Sequence, residues 1–180
     1  NNVSSVLRVM LKEAVKRKLV SSNPMDSIEP FIPPVTERGI LTLEEAKKVL
    51  ERDRWKSPIY HSAALLSAAT GIRQGELLAL RTENYFEDHA LIKFNWNKKY
   101  GLGPVKSKRP RWVPIPNKVN ASIREWLGWK GFIFSYQNGA RPVTAQRMTE
   151  AFYDVMETVD LKIQHNERNI VWHSWRHFSN

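Results

Sequence analysis

The sequence predicts a mainly α-helical chain with one small antiparallel sheet of three short strands, an α+β arrangement. Three observations carry that expectation. Apolar residues recur at three- and four-residue steps through most of the chain. Alternating, β-branched and aromatic stretches are confined to residues 90–116. A proline-bearing segment with Pro30, Pro33 and Pro34 separates an N-terminal helical pattern from everything after it.

Taken in order, Val3, Val6, Leu7, Met10, Leu11, Ala14 and Val15 form a helical stripe, and Arg8, Lys12, Lys16, Arg17 and Lys18 make the rest of that helix basic. Pro24 forces Asn23 out of helical geometry, so the helix should stop near Ser21–Pro24. Residues 29–39 read as an extended linker. Thr42 and Glu45 then have capping-box spacing, with Leu41 and Ala46 placed as a hydrophobic staple, and a helix is expected to about Arg52. Ala63, Leu65, Leu66, Ala68 and Ala69 form a buried-looking apolar run that ends at Gly71. Residues 90–96 read as a strand and 97–104 as a polar turn. Residues 105–116 read as a short strand, a basic tip and a third strand. Asn117 can cap a helix through Val119, Ile123, Trp126 and Leu127 that stops at Gly128. Thr144 can cap another, with Met148, Ala151, Phe152, Val155 and Met156 facing inward. Asp160 to Asn169 reads as loop, and a last helix begins near His173.

Composition narrows the function classes. Lys and Arg number 28 against 18 Asp and Glu, a formal net charge of +10, which points to a polyanionic partner. No apolar run approaches the roughly 20 residues of a membrane span, so nucleic acid is favoured over a membrane surface. The absence of cysteine excludes disulfides, thiolate nucleophiles and Cys-zinc sites.

Three stretches carry candidate chemistry. The first is Thr70-Gly71-Ile72-Arg73-Gln74-Gly75-Glu76-Leu77-Leu78-Ala79-Leu80. It reads as a helix, a glycine turn, and a second helix opening with Arg73. Glu76 lies three residues on and faces the same way. A guanidinium fixed at a helix start suits a phosphate, because its fork matches two oxygens and helix starts attract anions. The same pair would also serve as a purely structural cap. The second stretch is Lys106-Ser107-Lys108-Arg109-Pro110-Arg111-Trp112-Val113-Pro114-Ile115, a basic turn leading into a strand. The third is His173-Ser174-Trp175-Arg176-His177. His173 and His177 are four apart and could share a helix face as metal ligands, with His165 the nearest third candidate. No third ligand is obvious nearby beyond His165, and we expect no metal.

Together, and in this order, the three stretches resemble the arginine, lysine and His-x-x-Arg motifs of the tyrosine recombinases, the phage integrase family. The resemblance covers nearly the whole chain. It implies an integrase catalytic-domain-like fold. Residues 1–28 would be the C-terminal helix of a core-binding (SAM-like) domain, 29–39 a linker, and 40–180 a catalytic domain incomplete at its C-terminus. It implies catalytic roles for Arg73, Lys106, His173 and Arg176, with Glu76 and His177 in support and with Lys108, Arg109 and Arg111 as DNA-binding residues. Lys108 is a rival to Lys106, two residues along. Val105 stands where the family usually has Thr, and Trp175 where it usually has Leu.

The resemblance further implies DNA site-specific recombination by transesterification at a DNA phosphate, without cofactor or metal. The partner would be a double-stranded attachment site, bound by a homotetramer of the full-length protein in the cytoplasm of a bacterial host. In the family a further His or Trp and a nucleophilic tyrosine follow the third motif. Tyr60, Tyr85, Tyr100, Tyr136 and Tyr153 all precede His173, so this chain is expected to stop short of the nucleophile and to cleave no DNA alone. A non-catalytic DNA-binding protein and a type IB topoisomerase-like enzyme are the alternatives.

Overall fold

The computed structural model of the protein describes residues 2–29, 39–161 and 168–179. The predicted linker prolines Pro30, Pro33 and Pro34, and His165, lie outside them. The chain divides into two compact units, residues 1–36 and 37–180.

In the first unit, helix α1 spans Asn2–Lys16. It ends earlier than Pro24 requires, because the chain closes the helix itself. Lys18 adopts a left-handed φ of 58°. Its N–H donates to the Val15 carbonyl at 2.9 Å, and the Leu19 N–H donates to Ala14 at 2.9 Å. Those two bonds satisfy carbonyls that the helix end would leave open. A single 3₁₀ turn, Pro24–Ser27, follows, capped by Asn23, whose side chain accepts from the Met25 N–H at 3.0 Å. The Arg8 guanidinium ties this turn back to α1 through the Met25 and Ile28 carbonyls, at 2.9 and 2.8 Å.

The second unit is built around one buried helix. Helix α2, Leu43–Val49, opens with the predicted capping box: the Thr42 N–H donates to Glu45 at 2.8 Å and the Glu45 N–H to Thr42 at 3.3 Å. Leu41 and Ala46 are both buried, as a staple requires. The helix stops at Val49 rather than Arg52, and the chain turns through a 3₁₀ step at Arg52–Arg54. That turn sends Trp55 back into the core, where its indole N–H donates to the Val49 carbonyl at 2.7 Å. Helix α3, Pro58–Thr70, is nearly all core: Ile59, Ala63, Ala64 and Leu66 are buried, although Ala69 at its end is exposed. The short helix α4, Gln74–Leu78, follows the Gly71 turn.

The strands correct the expectation of one three-stranded sheet. There are four among the described residues: β1 His89–Ile92, β2 Phe94–Asn97, β3 Gly101–Pro104 and β4 Arg111–Pro114. They pair two and two, β1 with β4 and β2 with β3, all antiparallel. The predicted strand over 90–96 is broken at Lys93, so its two halves serve different ladders. Residues 101–104 form a strand where a turn was predicted. Two glycines give that stretch no β-propensity to read, and its pairing comes from β2. Residues 105–108, predicted as strand, are loop.

Helix α5, Asn117–Ile123, takes Pro116 rather than Asn117 at its cap position and runs into a 3₁₀ turn at Arg124–Trp126. Helix α6, Ala145–Thr158, is capped by Thr144 and buries Met148, Phe152, Val155 and Met156 as expected. Helix α7, Ser174–Phe178, ends the described chain. Helix α3 packs against α4, α5, α6 and α7, so it is the post on which the later elements are hung. Trp175 seats α7: it is fully buried and meets Phe152 and Phe178 edge-on, at 5.7 and 5.9 Å between ring centres. An indole fills more core than the leucine usual in the resemblance.

The segment before α7 is also tied to the start of the unit. Arg168 forms a forked pair with Glu45, at 2.6 and 2.9 Å, and donates to the Ile40 carbonyl at 2.5 Å. The Gly39 N–H donates to the Arg168 carbonyl, and the Ser174 hydroxyl donates to the Gly39 carbonyl at 2.8 Å. The Arg168 hydrogen bonds hold the Glu45 carboxyl down at about 2.

Two predictions follow from this packing. Glu45 is depressed below its unfolded value of about 4.3, so its stabilisation is complete above that value and fades as pH falls towards 2. In urea titrations Glu45→Gln should be less stable than wild type by on the order of 1 kcal/mol at pH 7, the scale of a partly exposed, well-aligned ion pair. The gap should close between about pH 4.5 and 2, and a gap independent of pH would contradict it. Gly71 holds a φ of 60°, and a Cβ there would meet the Ser179 hydroxyl. Gly71→Ala should therefore lower the urea midpoint by the equivalent of about 1–2 kcal/mol with an unchanged slope.

Candidate active site: arginines gathered on a buried carboxylate

The first motif is shaped by where α3 ends. Gly71 caps α3 in the left-handed region, its N–H donating to the Ser67 carbonyl at 2.9 Å. The chain then turns outward through Ile72, which is buried, and Arg73 takes an extended conformation at the cap of α4. Leu77 and Leu78 anchor α4 below it. Gly75 lets that helix lie close on β2: a Cβ there would run into the side chain of Asn95.

Glu76 is the centre of the arrangement. It is 2% exposed, and a buried carboxylate demands partners. It has four donors. Oε1 accepts from Arg73 Nη1 and from Arg111 Nη1, each at 3.1 Å. Oε2 accepts from the Arg73 backbone N–H at 3.1 Å and from Arg111 Nη2 at 2.7 Å. That accounts for the acceptor capacity of a carboxylate. Burial pushes the Glu76 carboxyl up, but the hydrogen bonds and charge of Arg111 together with the bonds from Arg73 outweigh it, and the net direction is down. Glu76 is therefore an anion in the folded protein at neutral pH.

The third motif joins the same place. Arg176 Nη1 donates to the Gly71 carbonyl at 2.6 Å, so the turn that presents Arg73 also receives Arg176. Burial lowers the proton affinity of Arg176, and the charges of Arg73 and Arg111 lower it further, with Glu76 opposing. Three guanidinium groups thus face one carboxylate, leaving two positive charges uncompensated. Arg73 commits only Nη1 and its backbone; its Nε and Nη2 make no hydrogen bond among the described residues. The assembly is preorganised for a doubly charged or bidentate oxyanion.

The other expected residues stand differently. His173 is the cap residue of α7, half-buried, and its ring meets that of His177 edge-on at 5.3 Å between centres. His177 is exposed. No group of three or more His, Asp or Glu able to hold a metal gathers among the described residues, and His165, the third ligand considered, lies outside them. Lys106, Lys108 and Arg109 are all exposed in the loop between β3 and β4. Lys106 makes no hydrogen bond or ion pair among the described residues. Lys108 takes a left-handed φ of 55°, its N–H donating to the Val105 carbonyl at 2.8 Å.

Arg111, expected to contact DNA, has its guanidinium paired with Glu76. The pattern along β4 contained a signal for this. Val113 and Ile115 are buried and Trp112 is exposed, and period-two alternation puts Arg111 on the buried side. Of the tyrosines, Tyr85 donates to Asn120 at 2.8 Å, Tyr136 pairs with Ser57 at 2.5 Å, and Tyr100 is exposed at the turn between β2 and β3.

No protein-family model matches the chain. Two curated proteins do. The integrase of Mycobacterium phage D29 is 34% identical over 137 residues, covering 68% of this chain and 34% of that protein. The integrase of Mycobacterium phage FRAT1 is 34% identical over 134 residues, covering 67% and 37%. The chain therefore spans about a third of the length of the curated relatives it matches. Among solved structures, the Tn1549 transposon integrase in complex with a circular intermediate DNA superposes with a TM-score of 0.73 at 18% identity, covering 99% of this chain and 64% of that one. The lambda integrase tetramer bound to a Holliday junction superposes at 0.71 and 18%, covering 98% and 51%. No helix among the described residues is long and apolar enough to cross a membrane. With sequence kinship to phage integrases and the fold of the transposon and lambda enzymes, the chain belongs to the tyrosine recombinase family and carries its catalytic-domain fold.

Proposed function

We propose that the protein acts in site-specific recombination of DNA, as the part of a tyrosine recombinase that binds and activates the scissile phosphate. The observation that carries this reading is the Glu76 cluster. It holds Arg73 and Arg176 on one turn with two positive charges uncompensated. In the reaction a tyrosine hydroxyl attacks phosphorus and the bond to the 5′ oxygen breaks. A 3′-phosphotyrosyl link forms and a 5′ hydroxyl leaves, and rejoining is the reverse. Arg73 and Arg176 hold the non-bridging oxygens and stabilise the charge that builds on them. His173 assists transfer of the attacking hydroxyl's proton, and His177 supports the helix start. Lys106, carried on the exposed loop, protonates the leaving oxygen. Lys108 and Arg109 on that loop contact the DNA backbone. The chemistry calls for no metal or cofactor, since arginine and lysine supply the charge.

The partner is a duplex attachment site, and the active species is a homotetramer on DNA in a bacterial cytoplasm. Residues 1–28 belong to a core-binding domain, 29–39 to a linker and 40–180 to the catalytic domain. None of the tyrosines here follows His173, so none of them takes the nucleophile's place in this proposal.

The test is covalent trapping on nicked suicide DNA, with the intact gene product and this 180-residue chain side by side. A polypeptide with a tyrosine beyond His173 should form an adduct, and this chain, which has none there, should not. Arg73→Ala or Arg176→Ala in the intact product should slow adduct formation roughly a hundred- to a thousandfold. Those variants should retain most DNA affinity, with the salt slope of binding reduced by about one per lost phosphate contact. Retardation of DNA with no adduct from either protein would instead mark the cluster as a binding device.

A further inference from the structure

The Glu76 cluster contains one residue that the proposed chemistry does not use. Arg111 sits on β4, far along the chain from the other arginines. It spends both terminal nitrogens on Glu76, at 3.1 and 2.7 Å. Its side chain is one-third exposed, while the Glu76 side chain is 1% exposed. Arg73, at 39% exposure, gives Glu76 a single side-chain bond of 3.1 Å.

The division of labour is asymmetric, and electrostatics explains why that matters. A buried carboxylate with one cation nearby takes that cation as its counter-ion, preferably as a forked pair. Without Arg111, Arg73 is the one guanidinium still hydrogen-bonded to Glu76 among the described residues, and its unengaged nitrogens can take the opened oxygen. Arg73 would then turn inward and its charge would be cancelled. With Arg111 in place, Glu76 has its forked partner, and Arg73 is oriented through one nitrogen and its backbone while the rest of its fork makes no hydrogen bond among the described residues.

The contact also fixes the loop that carries Lys106. At one end Val105 is buried, its N–H donating to the Lys93 carbonyl at 3.3 Å. At the other end Arg111 is pinned to Glu76. The exposed residues 106–110 are thereby held as a short loop rooted beside the two arginines.

We propose that Arg111 is a positioning residue that neutralises Glu76 and so leaves the charges of Arg73 and Arg176 available to a phosphate. The proposal rests on the phosphate-binding reading given above.

The experiment titrates the 180-residue chain with inorganic phosphate and follows the Nε–Hε resonances of Arg73 and Arg176 by NMR. In wild type both should shift together. Arg111→Met should weaken phosphate binding by about tenfold or more, the scale of a lost charge-assisted contact. The double variant Arg111→Met with Glu76→Gln, which removes the uncompensated anion as well, should recover to within about threefold of wild type. Arg111→Lys keeps the charge without the fork and should fall between; it also serves if Arg111→Met does not fold. A purely structural arginine would lower thermal stability in every variant without that reversal. Phosphate affinity unchanged in Arg111→Met or Arg111→Lys, or a double variant as weak as the single one, overturns the inference alone. Phosphate that moves neither resonance in wild type overturns the clamp reading, and the inference with it.

Discussion

A carboxylate cannot be left alone in a protein interior, and Glu76 is 2% exposed. Much of the site is the consequence. Four donors converge on it from two parts of the chain that lie 35 residues apart or more: the Arg73 backbone and side chain, and the two ends of the Arg111 fork. Because the donors outnumber the charge they neutralise, the arrangement stabilises the fold and leaves an electropositive face. The same carboxylate thus anchors the core and sets the electrostatics of the surface above it.

The backbone around Glu76 is shaped to the same end. Helix α3 is a buried post, and it has to stop where Arg73 begins. Gly71 makes that stop, and its carbonyl, freed by the helix end, accepts Arg176 from α7 at 2.6 Å. Helix α7 is in turn held by Trp175 in the core and by Ser174, which donates to Gly39 at the opposite end of the unit. Residues more than a hundred positions apart are thereby fixed to one turn. That is the order of rigidity that electrostatic stabilisation of a developing charge demands, since donors that must reorganise give up most of their effect.

Local chemistry was the legible part of the sequence. The Thr42–Glu45 capping box, the Thr144 cap, the inward face of α6 and the glycine turn before Arg73 all follow from neighbours a few residues apart, and each stands as read. The Arg73–Glu76 pair was legible for the same reason. What depended on distant partners was not. The strand at residues 101–104 exists because β2 supplies its ladder, not because Gly101 and Gly103 favour it. Helix α2 ends at Val49 because Trp55 must reach the core. The Arg168–Glu45 pair joins residues 123 apart, and the resemblance grouped Arg111 with Lys108 and Arg109 as DNA-binding residues without showing its partner. The alternation with Val113 and Ile115 pointed Arg111 to the buried side, but its partner Glu76 is visible only in three dimensions.

The central claim is that Arg73 and Arg176 together hold one tetrahedral oxyanion while Glu76 remains paired with Arg111. Its most direct test is a crystal structure of the chain with orthovanadate, whose trigonal-bipyramidal adducts approach the geometry of phosphoryl transfer. The account predicts vanadate oxygens within hydrogen-bond distance, about 2.7–3.1 Å, of both guanidinium groups, with the Arg111–Glu76 fork unbroken. Vanadate bound elsewhere on the basic surface, or bound with Arg73 folded back onto Glu76, would contradict it.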